Sequence, residues 1–184
     1  MDAWDRREGT GRFRVAVWGA TGLTGGELLR LVAGHPGMEL VCAVSRGRAG
    51  QPLGGTHPHL RHAYPSRAFV SPEEGREAQA DLAFLALPHG ASAEEAARCL
   101  ARGQKVVDLS ADFRLGDPEA HRRWYGAEAP EPGLRGRRVY GLPELHREAL
   151  RGVDLVSGLG CNATAAILAL PPLAKHIIGP ERLR

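Results

Sequence analysis

Along this chain the hydrophobic residues gather in short runs separated by glycine- and proline-rich breaks, and the runs follow two different periods. Phe13–Trp18, with valines at alternate positions, stops at Gly19 and predicts a strand. Residues 24–32 place Leu28, Leu29 and Val32 at helical spacing, with Thr24 expected at the cap. Met38–Val44 reads as a second buried strand. Strand, glycine turn, helix and strand imply a right-handed βαβ unit with parallel strands.

Further along, residues 45–67 are rich in Gly, Pro, His and Arg without periodicity, which predicts a long loop. Phe69 and Val70 end a short strand. Strands are expected at 81–87, where Pro88 stops the run, at 105–109 and at 153–156. Helices are expected at 91–102, 117–125 and 143–150, and an apolar one at 162–170 that Pro171 and Pro172 interrupt. No internal repeat is present. The sustained alternation predicts an α/β fold, a Rossmann-like doubly wound parallel sheet. Residues 1–11 read as a flexible tail.

Composition narrows the class. With 184 residues, 43% hydrophobic and 24% charged, the chain is large enough for one well-buried domain and far from disordered composition. Its net charge of +3 is carried mostly by arginine, Lys105 and Lys175 being the two lysines, and is too small and scattered to argue for nucleic acid. The first 13 residues hold no apolar core of signal-peptide length, and no run approaches the ~18 residues of a spanning helix, so no membrane association is expected. Three widely spaced cysteines, Cys42, Cys99 and Cys161, suit a reducing cytoplasm.

Three places carry candidate chemistry. Gly19-Ala20-Thr21-Gly22-Leu23-Thr24-Gly25 spaces glycines three apart where strand passes into helix. There the backbone can approach a pyrophosphate and the helix start offers unpaired N–H groups, so dinucleotide binding is expected over a bare turn. The second strand ends in Ser45-Arg46-Gly47-Arg48 with no acid to meet a ribose hydroxyl, which favours NADP over NAD, the alternative being a solvated arginine cluster. Cys161 lies between a strand and an apolar helix, where a helix start stabilises a thiolate; Cys42, in a strand, and Cys99, on an amphipathic helix, lack that setting. His57, His59 and His62 are close together, but no Cys or carboxylate accompanies them in that loop, so no metal is expected.

Taken in order, several motifs resemble the N-acetyl-gamma-glutamyl-phosphate reductase family. They are the glycine turn followed by Gly26-Glu27-Leu28-Leu29-Arg30-Leu31, then Ala86-Leu87-Pro88-His89-Gly90, Asp108-Leu109-Ser110-Ala111-Asp112-Phe113-Arg114-Leu115, Tyr140-Gly141-Leu142-Pro143-Glu144-Leu145, and the Gly160-Cys161 segment. The resemblance implies NADPH-dependent reduction of an acyl phosphate to a semialdehyde through a cysteine thioester in amino-acid biosynthesis. Cys161 matches the nucleophile. Gly19, Thr21, Gly22, Leu23, Thr24 and Gly25 match the phosphate turn, Ser45 and Arg46 the 2′-phosphate end, and Leu87, Pro88 and His89 the loop beside the cofactor. Arg114 and Asn162 are the candidate substrate-binding residues, with a structural ion pair as the other reading of Arg114.

Two branches share that mechanism. The arginine-pathway branch usually has Tyr-Pro after the nucleophile, whereas the lysine-pathway branch, acting on aminoadipyl phosphate attached to an acidic amino-group carrier protein, commonly has Asn-Ala; here the residues are Asn162-Ala163. The resemblance therefore points to carrier-bound aminoadipyl or glutamyl phosphate, with the N-acetylated substrate as alternative. Family members are about twice this length, which makes the chain resemble an N-terminal portion: residues 12–157 the NADP-binding domain, 158–184 the nucleophile segment and start of a catalytic domain. The general base, most substrate contacts and a homo-oligomeric interface would belong to the remainder, and this chain alone is expected to be inactive. Aspartate-semialdehyde dehydrogenase shares the mechanism but fits residues 108–115 poorly. A reading from another class is a non-catalytic NADPH-binding regulatory module.

Overall fold

The computed structural model describes the backbone of residues 11–177 and the side chains of residues 11–170. Most of the expected tail and residues 178–184 lie outside the described residues. Six strands form one all-parallel sheet: β1 (Phe13–Trp18), β2 (Met38–Val44), β3 (Leu82–Leu85), β4 (Lys105–Asp108), β5 (Arg138–Gly141) and β6 (Leu155–Gly158), in the order β2-β1-β3-β4-β6-β5. Helix α1 (Leu23–Gly34) links β1 to β2, α2 (Leu53–Thr56) and α3 (Pro72–Glu77) precede β3, and α4 (Ser92–Ala101) joins β3 to β4. Beyond β4 come α5 (Pro118–Tyr125), α6 (Pro132–Arg137), α7 (Pro143–His146) and α8 (Cys161–Ile177).

Strand alternation divides the core between the two faces of the sheet. Val15 and Val17 pack with Leu29 and Val32 of α1, Leu40 and Ala43 of β2, and Leu53, Leu60 and Phe69 of the following segment. Ala16 and Trp18 point the other way, joining Val44, Leu85, Val106, Leu155 and Phe113 with Ala96, Cys99 and Leu100 of α4. Helices thus cover both faces, the doubly wound arrangement expected. Among the described residues no helix is long and apolar enough to cross a membrane.

Several local expectations change. Helix α1 begins at Leu23 with Gly22 as its cap rather than Thr24, because the Gly22 N–H closes a turn on the Gly19 carbonyl (3.1 Å) and starts the helix early. The span 45–67 is not structureless: it holds α2 and a 3-10 turn, Pro58–Leu60, which plug the α1 face with Leu53 and Leu60. Instead of a full strand, Val70 forms an isolated bridge to Val44, and the Phe69 main chain bonds Gly50 and Gln51. The region 143–150 is α7 followed by a separate 3-10 turn, Glu148–Leu150, and the strand expected at 153–156 begins two residues later. Strand β5 was not expected. Finally, α8 runs on through Pro171 and Pro172; proline's fixed φ is itself helical, so the pair removes N–H donors without ending the helix.

Candidate functional site

The strand order reverses between β1 and β3, since the chain leaves β1 toward β2 and leaves β3 toward β4. A crevice opens at the carboxyl ends of strands at such a point. Gly19 stands there with φ +73°, and a Cβ on it would lie 2.1 Å from the Ala86 carbonyl oxygen, so no side chain fits between the two strand ends. A Cβ on Gly25 would lie 2.4 Å from the Gly19 oxygen. Gly22 provides no capping side chain and the first turn of α1 holds no acid, which leaves the helix's first N–H groups available to an anion. His57 is buried behind this turn, its Nε2 donating to the Ala20 carbonyl at 2.8 Å. The histidine is a prop under the glycine turn, and among the described residues no group of three His, Cys, Asp or Glu side chains is arranged to hold a metal.

Beside the turn is a cavity of about 360 Å³. It gathers six residues singled out from the sequence, Gly19, Thr21, Ser45, Arg46, Leu87 and Pro88. Leu23 and Thr24 stand exposed at the adjoining helix start. Ser45 is buried, its N–H bonded to Val70 O at 3.0 Å, while Arg46 is exposed; Arg48 instead turns toward Gln51 and Thr56, 3.4 Å from each. Gly47 of the same motif also lines the cavity, and Trp18, Val44, Pro72, Arg76, Ala91, Glu94 and Glu95, not singled out from the sequence, complete the lining. Trp18 and Val44 were marked as strand ends, and Pro72 stands first in a helix with a Ser71–Glu74 capping box. The pocket's glycine floor, uncapped helix start and exposed Arg46 fit a dinucleotide phosphate.

The loop after β4 ties neighbouring loops together. Asp108 is fully buried and accepts the Ser110 N–H (3.1 Å) and Oγ–H (2.8 Å); burial pushes its carboxyl up from the usual range, and the Ser110 hydrogen bonds partly offset this. Asp112 accepts three main-chain N–H groups, from Gly90 at 2.6 Å and from Ser92 and Ala93 at 3.0 Å each, and so caps α4. The Ala111 N–H donates to His89 Nδ1 at 2.9 Å. Arg114 reaches the other way, donating from Nε to Gly158 O (3.2 Å) and from Nη2 to Leu109 O (2.9 Å). Those bonds run to carbonyls, so among the described residues Arg114 is not the ion pair weighed above. Residues 110–114 thereby brace the loop after β3 against the loop after β6.

Cys161 opens α8 on the same edge of the sheet, and of the three free thiols it alone is exposed. Its Sγ–H donates to Asn162 Oδ1 at 3.8 Å, and the Thr164 N–H and Oγ–H both donate to Gly160 O, at 2.9 and 3.1 Å. A Cβ on Gly160 would come within 3.3 Å of Arg114 Nη1, which places that guanidinium beside the turn leading into Cys161. Burial pushes the Cys42 thiol up to about 11 and the Cys99 thiol up to about 12. Neither is a nucleophile at neutral pH.

An all-parallel sheet with a glycine turn at its reversal point defines a Rossmann-like domain. More narrowly, the family described as semialdehyde dehydrogenase, NAD binding domain, matches residues 14–153, and the chain belongs to that family. Similar proteins include the [LysW]-L-2-aminoadipate/[LysW]-L-glutamate phosphate reductase of Saccharolobus solfataricus, 47% identical over 171 residues, covering 93% of this chain and 49% of that protein. The N-acetyl-gamma-glutamyl-phosphate reductase of Nitrosococcus oceani is 44% identical, covering 92% of this chain and 50% of that protein. The chain spans about half the length of the curated relatives it matches. Among solved structures, aspartate semialdehyde dehydrogenase II from Vibrio cholerae shares the fold with a TM-score of 0.62 at 20% identity, over 89% of this chain and 43% of that one. The aspartate semialdehyde dehydrogenase of Candida albicans, solved with NADP, gives 0.61 at 15% identity, over 89% and 47%.

Proposed function

We propose that this chain is the nucleotide-binding and nucleophile-bearing portion of an NADPH-dependent acyl-phosphate reductase. The observation that carries the reading is the placement of Cys161, the exposed thiol at a helix start, on the sheet edge that also bears the glycine turn. Residues 12–157 serve the nucleotide, and residues from 158 onward carry the nucleophile. Gly19, Thr21, Gly22, Leu23, Thr24 and Gly25 take the pyrophosphate, and Ser45 and Arg46 take the 2′-phosphate, which makes NADP the preferred form.

In the reaction the Cys161 thiolate attacks the acyl carbon, a C–S bond forms and the C–O bond to phosphate breaks. When bound, the reduced dinucleotide supplies the hydride that converts the thioester to a thiohemiacetal. Cleavage of the C–S bond then returns the thiolate and frees the semialdehyde. Leu87, Pro88 and His89 flank the reacting end. Arg114, beside the Cys161 turn, and Asn162, bonded to the thiol, hold the substrate near the nucleophile.

For the substrate we favour aminoadipyl or glutamyl phosphate on an acidic carrier protein. Asn162-Ala163 and the names of the reductase relatives from Saccharolobus and similar organisms support it. The test compares NADPH oxidation by the full gene product with carrier-bound aminoadipyl phosphate and with N-acetylglutamyl phosphate. The expected result is faster turnover of the carrier-bound substrate, weakened by salt, and a loss of at least about 10³-fold in Cys161→Ser. Equal turnover of both substrates without a salt effect points to the N-acetylated one; nucleotide binding without turnover of either points to a regulatory module.

A further inference from the structure

The wall of the nucleotide cavity contains a cation whose charge is already engaged. Arg76, on α3, donates from Nε and Nη2 to the same Glu95 oxygen at 3.1 and 2.9 Å, and Glu73 lies 3.8 Å from its Nη1. Glu95 is 5% exposed and is also approached by Arg98 at 3.6 Å. The Arg76 guanidinium sits over the indole of Trp18, 5.9 Å from the ring centroid, and Trp18 itself is 4% exposed. A guanidinium held at its edge by a carboxylate and placed above an aromatic ring is fixed as a plane that a flat partner can meet. Arg76 lines the nucleotide cavity, where the apolar residues Val44, Pro72 and Ala91 are among its neighbours.

We infer that Arg76 is the stacking platform for the adenine ring of the dinucleotide, a binding residue distinct from the phosphate contacts. The inference rests on the dinucleotide reading above. Its logic is a division of labour between two arginines lining one cavity. Among the described residues Arg46 is exposed and has no ion pair, whereas the charge of Arg76 is engaged by Glu95, which holds its guanidinium as a plane. A flat purine gains from a held plane without the entropy cost of ordering a free side chain. A phosphate would have to compete with Glu95 for the same guanidinium.

Calorimetric titration of the chain with NADP⁺, NAD⁺ and adenosine monophosphate separates these roles. Arg76→Ala is expected to weaken all three ligands alike, by about three- to thirtyfold. Arg76→Lys, which keeps a cation beside the buried Glu95 and so protects the fold, is expected to weaken all three by about three- to tenfold because the plane is gone. Arg46→Ala should weaken NADP⁺ and leave NAD⁺ nearly unchanged. A loss in Arg76→Lys confined to NADP⁺ would put Arg76 on the 2′-phosphate and overturn the inference, as would unchanged affinity for every ligand. Should the wild-type chain bind neither dinucleotide, the underlying dinucleotide reading falls and takes this inference with it.

Discussion

His89 holds its neutral proton on Nε2, because its Nδ1 accepts from the Ala111 amide and a main-chain N–H can only donate. The ring is exposed on the loop between the glycine turn and the strand end that leads to Cys161, so it presents an N–H donor to whatever occupies that edge. Nitrogen-15 spectra of the imidazoles at pH 8 should show His89 as the Nε2–H tautomer, and a dominant Nδ1–H form would contradict the bond. At this scale the sequence was informative where glycine and cysteine had few alternatives: Gly19 admits no side chain, and Cys161 alone among the thiols sits exposed at a helix start. Arg76 and Asp112 were opaque for different reasons. Arg76 sits in Glu73-Glu74-Gly75-Arg76-Glu77, a run that reads as a solvated face, and the role of Asp112 depends on amides twenty residues away.

Between β1 and α1 the decisive element is the turn, whose shape is set by backbone crowding rather than by side-chain contacts. Replacing Gly19 with Ala forces a left-handed conformation on a side chain and drives Cβ into the Ala86 carbonyl, at an expected cost of about 2–5 kcal/mol. Gly47→Ala, where a Cβ meets nothing within 4 Å, should stay within about 0.5 kcal/mol. Denaturant titration of the two variants checks the contrast; equal stability would show that the strand ends are not locked together there. Strands β1, β2, β3 and β4 were legible from their apolar runs, and α4 and α5 from their helical character, with bounds close to those expected. Strand β5 escaped notice because Arg138-Val139-Tyr140-Gly141 is a short edge strand without a buried face. Helix α8 extends past the expected break because it accommodates Pro171 and Pro172 within its helical backbone.

Taken whole, the molecule is a doubly wound sheet whose two faces are sealed by different helices, and its buried thiols tie stability to pH. Cys42 and Cys99 have folded pKa values raised from 9.0 to about 11 and about 12, so the folded state holds their protons longer than the unfolded state does. Their contribution is therefore complete below about pH 9 and is lost as pH rises through 11 and 12. Between pH 8 and pH 10 the two together should account for about 2–3 kcal/mol of lost stability. A Cys42→Ala, Cys99→Ala double variant, though less stable throughout, should show a correspondingly smaller loss, and an unchanged slope would contradict the burial argument. The central claim, however, concerns the third cysteine. The test is to incubate the full gene product with its acyl phosphate in the absence of reduced nucleotide, quench in acid, and map the peptides by mass. The expected product is an acyl adduct on Cys161, labile to hydroxylamine, formed with release of one phosphate and absent from Cys161→Ser. An unmodified Cys161 in protein that binds NADPH normally, or an adduct on another residue, would contradict it.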